Sequence, residues 1–228
     1  MMLKLYEVLS KAEVAAFRQA LAAPDAGWID GAATAGQQAR EVKKNRQLPE
    51  QSPLNQRLGQ GILQALARHP QFFAAALPLR IYPPQFNSYE GGETYGEHID
   101  NALRLMPGGG RMRADLSATL FLTEPGEYEG GELTVQDSYG EHRVKMPAGD
   151  LVLYPAASRH RVSPVTKGAR VSCFLWLQSM VRSDTDRDML HDLDMTIQRM
   201  TVERGAQDRD VARLTGLYHN LVRRFVEV

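Results

Sequence analysis

Cysteine is almost absent from this sequence. Cys173 is the only one among 228 residues, so no disulfide can form within the chain and a metal site built from thiolates is excluded. An excess of charge is lacking as well, because lysine plus arginine and aspartate plus glutamate both number 27. With a formal net charge of zero, a global attraction to nucleic acid or to an anionic membrane is not expected.

Long apolar runs are also missing. The N-terminal stretch MMLKLYEVLSKAEV carries charges at Glu7, Lys11 and Glu13 and has the features of neither a signal peptide nor a membrane anchor. We therefore expect a reducing, cytoplasmic setting. The remaining composition, 43% hydrophobic and 24% charged, is that of a globular protein with enough apolar residues for a sizeable core.

Helical periodicity marks the first part of the chain. Ser10 and Glu13 form a capping-box pattern that predicts a helix over about 11–23. Ser52 followed by proline predicts a second helix over about 53–68, which a His-Pro pair is expected to stop. The polar stretch between them has a basic centre at 40–46, and a solvated face or loop is the simpler interpretation of that charge run.

Helical periodicity returns after about residue 181. Ser183 offers an N-cap, and Gly205 separates two apolar faces that predict two helices. Packing of these helices on the sheet and a homo-oligomer interface are both compatible with the pattern.

Between these helical parts, short apolar runs alternate with turn residues. Regular spacing of this kind predicts an antiparallel sandwich or a jelly-roll barrel. The strands are expected near residues 79–83, 86–90, 98–104, 116–123, 131–136, 141–146, 150–154, 159–165 and 170–178.

Two of the six histidines lie in informative surroundings. His98 and Asp100 are two residues apart, and on an extended strand such residues point to the same face. A third ligand, His160, lies in a later predicted strand. Two imidazoles and one carboxylate on one face leave coordination positions open, as non-heme iron(II) oxygenases require. Alternatively, His98 and Asp100 form a surface pair and His160 is an ordinary strand histidine.

An arginine at the head of an apolar strand is unusual, because burial of an unpaired guanidinium is unfavourable. A dicarboxylate co-substrate bound to Arg170 would resolve this, with Ser172 adding a hydroxyl on the same face. An exposed or acid-paired Arg170 is equally compatible with the sequence. Tyr89 and Tyr95 are placed to donate a hydroxyl to the co-substrate, or to pack on the sheet with the hydroxyl at its rim.

Three segments together resemble a known family. They are YEGGETYGEHID from Tyr89 to Asp100, RADLSATLFLTEPGEYEGGELTV from Arg113 and LYPAASRHRVSPVTKGARVSCFLWLQS from Leu153. They closely resemble the bacterial PKHD-type hydroxylases of the Fe(II)/2-oxoglutarate superfamily, which are related to prolyl 4-hydroxylases. The resemblance also covers WIDGAATAGQQAREVKKNRQL and runs over most of the chain.

The resemblance implies a mainly β fold with flanking helices: a double-stranded β-helix (jelly-roll) core with N-terminal and C-terminal helices. We expect an N-terminal helical segment over 1–75 that packs on the core, the dioxygenase jelly roll over 76–180 and a C-terminal helical pair over 181–228. It also implies an iron triad of His98, Asp100 and His160, with Arg170 binding 2-oxoglutarate.

The implied activity is hydroxylation of a small-molecule or peptide substrate, with release of succinate and CO2. The cofactors implied are Fe(II), 2-oxoglutarate as co-substrate and L-ascorbate, and family members are often associated with iron uptake or iron starvation. No catalytic residue beyond the metal ligands is expected. A non-catalytic iron or 2-oxoglutarate sensor and a metal-dependent hydrolase or isomerase are the rival hypotheses. Contact of the 40–46 segment and the 105–111 loop with substrate is left open.

Overall fold

Residues 2–34 and 40–227 are described by the structure, a computed structural model of the chain. Short 3₁₀ turns at Gly31–Thr34 and Pro125–Glu127 accompany the helices in this part of the chain. The α-helices are α1 (Lys11–Leu21), α2 (Pro53–Ala67), α3 (Pro70–Ala76), α4 (Asp184–Arg204) and α5 (Arg209–Phe225).

Side-chain caps explain where the early helices begin. The Ser10 hydroxyl accepts the Glu13 amide while the Glu13 carboxylate accepts the Ser10 amide, which is the reciprocal capping box. The Ser52 hydroxyl caps α2 by accepting the Asn55 amide, without a second, reciprocal bond. Helix α2 ends before His69-Pro70, as predicted, and the same pair also begins α3. The imidazole of His69 accepts the Phe72 amide and so caps α3. Proline is tolerated in the first turn of a helix, and the sequence analysis missed this second helix.

Two antiparallel sheets face each other and form the predicted jelly roll. In the described residues, the larger sheet has the order β1-β14-β10-β16-β6-β4-β2, with β5 and β11 also paired to β16, and the smaller has the order β13-β12-β15-β7-β3. A separate hairpin consists of β8 and β9. The strands are β1 (Leu3–Leu5), β2 (Ile29–Asp30), β3 (Lys43–Lys44), β4 (Arg46–Gln47), β5 (Pro78–Ile81), β6 (Gln85–Glu90), β7 (Thr94–His98), β8 (Leu103–Leu105), β9 (Arg111–Arg113), β10 (Leu116–Phe121), β11 (Tyr128–Gly130), β12 (Leu133–Asp137), β13 (Gly140–Val144), β14 (Leu151–Pro155), β15 (Arg159–Val162) and β16 (Val165–Ser179).

The N-terminal part adds short strands to both sheets. The sequence pattern predicted only helices there and a loop over 28–48, yet β2 and β4 extend the larger sheet and β3 pairs with β7 in the smaller one. Two-residue strands are too short to show a periodic sequence pattern, and they form because a distant strand is available for pairing. Residues 35–39 of the predicted loop lie outside the described residues.

Strand β7 ends where the sequence analysis placed a strand start. The predicted strand 98–104 is wrong, because β7 runs up to His98 and Asp100 lies in the irregular segment after it. The ladder between β7 and β15 reaches the pair His98–His160, and β15 begins only one residue before that. Asp100 therefore has no strand partner, and its position beside His98 comes from the turn of the chain rather than from strand alternation.

Alternation along β16 separates the core from the interior of the jelly roll. Cys173, Leu175 and Leu177 belong to the large core between the bigger sheet and helices α1 to α3. The residues between them, from Arg170 onward, line the space between the two sheets. A strand of period two thus supplies an apolar face to the helices, while its other face brings Arg170, Ser172, Phe174 and Trp176 to the interior.

The C-terminal helices pack on each other and on the end of β16. Their apolar residues surround Leu77, Val181 and Leu190, and Val181 forms an isolated bridge with Val226. The predicted alternatives were packing on the sheet and a homo-oligomer interface. The observed contacts are instead with α3 and with the segment that follows β16. Within the described part of the chain, no helix is both long and apolar enough to cross a membrane.

Gly130 permits a close approach of two segments. Its φ is +75°, and a Cβ atom there would overlap the carbonyl oxygen of Pro164. We expect Gly130→Ala to lower the free energy of unfolding by at least about 1–3 kcal/mol, because backbone strain and the overlap act together. Chemical denaturation measures this. Gly126→Ala is the control, since a Cβ atom at Gly126 meets nothing within 4 Å, and equal effects of the two substitutions would contradict the prediction.

Candidate metal centre and active-site cavity

A cavity of about 770 Å³ opens between the two sheets. Its lining comes from both sheets and includes His98, Asp100, His160 and Arg170. The volume lies within the range of small-molecule sites. The structure thus brings the four residues with predicted roles into one space, although they are far apart in the sequence.

His98, Asp100 and His160 meet at one point of this cavity. One nitrogen or oxygen atom of each lies within 4.8 Å of the others. The Nε2 atom of His160 is 3.6 Å from Oδ2 of Asp100, and the two imidazole centroids are 4.2 Å apart. Two nitrogen donors and one oxygen donor at this spacing can hold one metal ion with open positions.

Backbone carbonyls fix the orientation of both imidazoles. Nδ1 of His98 lies 2.8 Å from the carbonyl oxygen of Gly96, and Nδ1 of His160 lies 3.0 Å from that of Ser158. A carbonyl oxygen only accepts, so each Nδ1 carries the proton and donates it. The lone pair is then on Nε2 in both rings, which is the arrangement of metal-binding histidines.

The Asp100 carboxylate is held by two partners that the sequence analysis missed. The Ser117 hydroxyl donates to Oδ2 at 2.6 Å, and Nη2 of Arg104 lies 3.8 Å from Oδ1. Ser117 comes from β10, where it and Thr119 are the buried polar residues of one face. Ser117 lies within the predicted strand 116–123, whereas nothing local indicated Arg104.

Arg170 is a buried cation without an acidic partner. Its side chain is 1% exposed, and no carboxylate of the described residues lies within 4.0 Å of its guanidinium. Nη1 donates to the Ser172 hydroxyl at 2.7 Å, and that hydroxyl donates to Oδ1 of Asn87 at 2.5 Å. Nε has no hydrogen-bond partner among the described residues. An isolated guanidinium in such a place is unfavourable unless an anion joins it.

The two tyrosines lie in different places. Tyr89 is opposite Arg170 on β6, with its ring 5.3 Å from the guanidinium carbon, and accepts a 3.4 Å hydrogen bond from Asn87. Burial raises the pKa of Tyr89 to about 12, so its hydroxyl stays protonated. Tyr95 instead stacks on His98, with ring centroids 3.6 Å apart.

A lysine from the basic segment also reaches the cavity. Lys43 is 6% exposed, and its Nζ donates to Oε1 of Gln47 at 2.7 Å. Burial, followed by the charge of Arg104, lowers the pKa of Lys43 to about 8. The solvated-loop interpretation was therefore wrong for Lys43, because pairing of β3 with β7 turns this side chain inward.

The metal-free protein is expected to lose stability in acid. Burial, followed by the charge of His160, lowers the pKa of His98 from 6.5 to about 4. Between pH 6.5 and about 4, the unfolded chain binds a proton on His98 that the folded chain does not. The free energy of unfolding therefore falls as the pH drops through this range. Denaturation of chelator-treated protein between pH 7.5 and 5 measures the slope. His98→Gln should flatten it, and an unchanged slope would contradict the assignment.

Comparison with known proteins identifies the family. Residues 84–178 match the family model of the 2OG-Fe(II) oxygenase superfamily, and residues 184–227 match that of the PKHD-type hydroxylase C-terminal domain. A PKHD-type hydroxylase of Burkholderia lata is 58% identical over 228 residues, which cover 100% of both chains.

Solved structures show the same fold at lower identity. A prolyl hydroxylase from Trichoplax adhaerens, in complex with a hypoxia inducible factor oxygen degradation domain peptide fragment, has a TM-score of 0.55 at 15% identity and covers 83% of this chain and 86% of that chain. HygX from Streptomyces hygroscopicus, with nickel, 2-oxoglutarate and hygromycin B bound, has a TM-score of 0.52 at 18% identity and covers 78% and 82%. The full-length likeness to the Burkholderia protein carries the family assignment. The chain belongs to the PKHD-type hydroxylases and is an Fe(II)- and 2-oxoglutarate-dependent dioxygenase.

Proposed function

We propose that His98, Asp100 and His160 bind the Fe(II) ion and that Arg170 binds the distal carboxylate of 2-oxoglutarate. One observation carries this proposal: the three donor atoms converge in a cavity that also contains a buried guanidinium without an acidic partner. The donor set fits the ion, because two imidazoles and one carboxylate leave positions for a chelating co-substrate and for dioxygen.

The cofactor supplies the oxidation chemistry. Bound Fe(II) would couple the decarboxylation of 2-oxoglutarate to succinate and CO2 with hydroxylation of the substrate by dioxygen. The protein contributes orientation: the carbonyls of Gly96 and Ser158 keep Nε2 of both histidines available, and the Ser117 hydroxyl fixes the Asp100 carboxylate. Outer partners of this kind hold the ligands in position for the metal.

The chain's polar residues would hold 2-oxoglutarate at its far end. Ser172 and Asn87 keep the guanidinium of Arg170 in place, which leaves its Nε to meet a carboxylate oxygen. Tyr89, protonated and adjacent, is proposed to donate its hydroxyl to the same carboxylate. Charge-assisted hydrogen bonds between a guanidinium and a carboxylate are directional as well as strong.

The substrate is proposed to be a small molecule or a peptide that enters from the open side of the cavity. The Trichoplax enzyme holds a peptide fragment and HygX holds hygromycin B, so the shared fold accepts both kinds. A requirement for ascorbate and a link to iron uptake or iron starvation rest on the family resemblance. A homo-oligomer through α4 and α5 rests instead on the apolar periodicity of these helices. A cytoplasmic location agrees with the single, buried and free Cys173.

Anaerobic reconstitution with Fe(II) and 2-oxoglutarate, followed by exposure to oxygen, tests the activity. Succinate should form only with both present. A fractionated extract that contains the substrate should raise the rate and produce a mass gain of one oxygen atom. Succinate formation that no extract fraction stimulates would favour the sensor hypothesis, and turnover without oxygen would contradict the proposal.

A further inference from the structure

Two cations line the cavity that the proposed iron and 2-oxoglutarate site does not use. Besides Arg170, the side chains of Arg104 and Lys43 line it. The two charges of Fe(II) and the one of Arg170 balance the Asp100 carboxylate and the two carboxylates of 2-oxoglutarate. Arg104 and Lys43 line the cavity beside this balanced set. The outer carboxylates that act on them, Asp30 on Lys43 and Glu50 on Arg104, do not line it.

Arg104 is held rigidly at the wall of the cavity. Its guanidinium carbon lies 3.0 Å from the ring centroid of Trp176 and 5.7 Å from that of Tyr82. Its Nε is buried without a hydrogen-bond partner among the described residues, and its contact with Asp100, at 3.8 Å, is too long for a hydrogen bond. A guanidinium stacked on an aromatic ring keeps its donor edge free for a planar anion.

Lys43, from β3 of the smaller sheet, adds a second cation to the lining. Its Nζ lies 5.5 Å from the ring centroid of Tyr95 and 5.9 Å from that of Phe174. Both side chains are set back from solvent, with Lys43 at 6% exposure and the Arg104 side chain at 20%. Two largely desolvated cations on one wall repel each other, and an anion between them would remove that repulsion.

We propose that the substrate carries a carboxylate that binds between Arg104 and Lys43 and orients it for hydroxylation. This inference rests on the proposed iron and 2-oxoglutarate site. Arg104 comes from the β8–β9 hairpin, and the exposed Ile99 lines the cavity together with the aromatic rings of Phe174 and Trp176. The substrate class is therefore an organic acid with an apolar part, rather than a neutral or cationic molecule.

Matched acid and amide probes test this without knowledge of the natural substrate. The pairs are benzoate and benzamide, hippurate and hippuramide, and N-acetylleucine and N-acetylleucinamide. Protein loaded with Mn(II) and 2-oxoglutarate binds them without turnover, and ligand-observed NMR measures affinity while paramagnetic relaxation shows that the probe lies near the ion. For the wild type we expect at least one acid to bind about tenfold or more tightly than its amide.

The variants separate recognition from positioning. Arg104→Gln should reduce the preference for the acid to less than about threefold, Lys43→Gln should lower it partly, and Arg104→Lys should retain part of it. The control is Arg111→Gln, which removes an exposed cation of the same hairpin that does not line the cavity and should change nothing.

Three results would overturn the inference. One is that no wild-type acid binds better than its amide although Mn(II) and 2-oxoglutarate bind. Another is an acid preference that Arg104→Gln leaves intact. The third is an equal loss of Mn(II) and acid affinity in Arg104→Gln, which would make Arg104 a positioning residue for Asp100. Failure of the wild type to bind Mn(II) and 2-oxoglutarate would instead overturn the proposed function, and this inference with it.

Discussion

A His160→Ala variant is expected to lose Fe(II) binding and with it all 2-oxoglutarate turnover. His160 is 6% exposed, and its Nε2 is the available nitrogen because Nδ1 donates to the carbonyl of Ser158. Loss of an outer partner of a metal ligand typically lowers affinity about 10–100-fold, and loss of the ligand itself should exceed this. Equilibrium titration of the chelator-treated protein with Fe(II) under anaerobic conditions measures the affinity.

His142→Ala is the matched control for this experiment. His142 belongs to the same sheet on β13, but its side chain is 41% exposed and pairs with Asp137 at 2.8 Å. This substitution should leave Fe(II) affinity and turnover unchanged. Ordinary Fe(II) affinity in His160→Ala would remove this residue from the proposed triad.

Replacement of Arg170 by glutamine should raise the KM for 2-oxoglutarate by on the order of 10²–10³-fold. Loss of one partner of a buried ion pair costs about 3–5 kcal/mol, because the other charge stays desolvated and unpaired. Among the described residues, the guanidinium of Arg170 alone donates to the Ser172 hydroxyl, which in turn donates to Asn87, so no other described side chain can replace it there. Steady-state kinetics of succinate formation at varied 2-oxoglutarate measures the effect.

Two further variants show whether the charge or the fork of Arg170 matters. Arg170→Lys keeps the charge and loses the second hydrogen bond, so an intermediate KM is expected. Lys167→Gln removes a cation of the same strand that is 76% exposed and pairs with Glu129, and its KM should equal that of the wild type. A normal KM in Arg170→Gln, with an unchanged melting temperature, would place the co-substrate carboxylate elsewhere.

Much of the scaffold followed from local sequence rules. The capping box at Ser10 and the Ser-Pro start at Ser52 gave the first two helices to within two residues at their ends. The jelly roll was confirmed, because regular turns and short strands constrain the architecture. Helix α3 was missed, since Pro70 can stop one helix and start the next, and short pairing strands such as β3 depend on distant partners.

The site itself was only partly visible in the sequence. The sequence left Arg170 either bound to a dicarboxylate or exposed and acid-paired. The structure buries it, at 1% exposure, within β16 rather than at the start of that strand. The reasoning for Asp100 from strand alternation was wrong, although Asp100 still lies beside His98 and His160. Arg104 and Lys43 could not be predicted, because a hairpin and a two-residue strand that lack periodicity carry them to the cavity.

An anaerobic crystal structure with Fe(II) and 2-oxoglutarate tests the central claim most directly. The account predicts one anomalous iron peak at about 2.0–2.2 Å from Nε2 of His98, Nε2 of His160 and a carboxylate oxygen of Asp100. The distal carboxylate of 2-oxoglutarate should lie on the guanidinium of Arg170. An iron peak that lacks any of the three side chains, or a co-substrate bound away from Arg170, would contradict it.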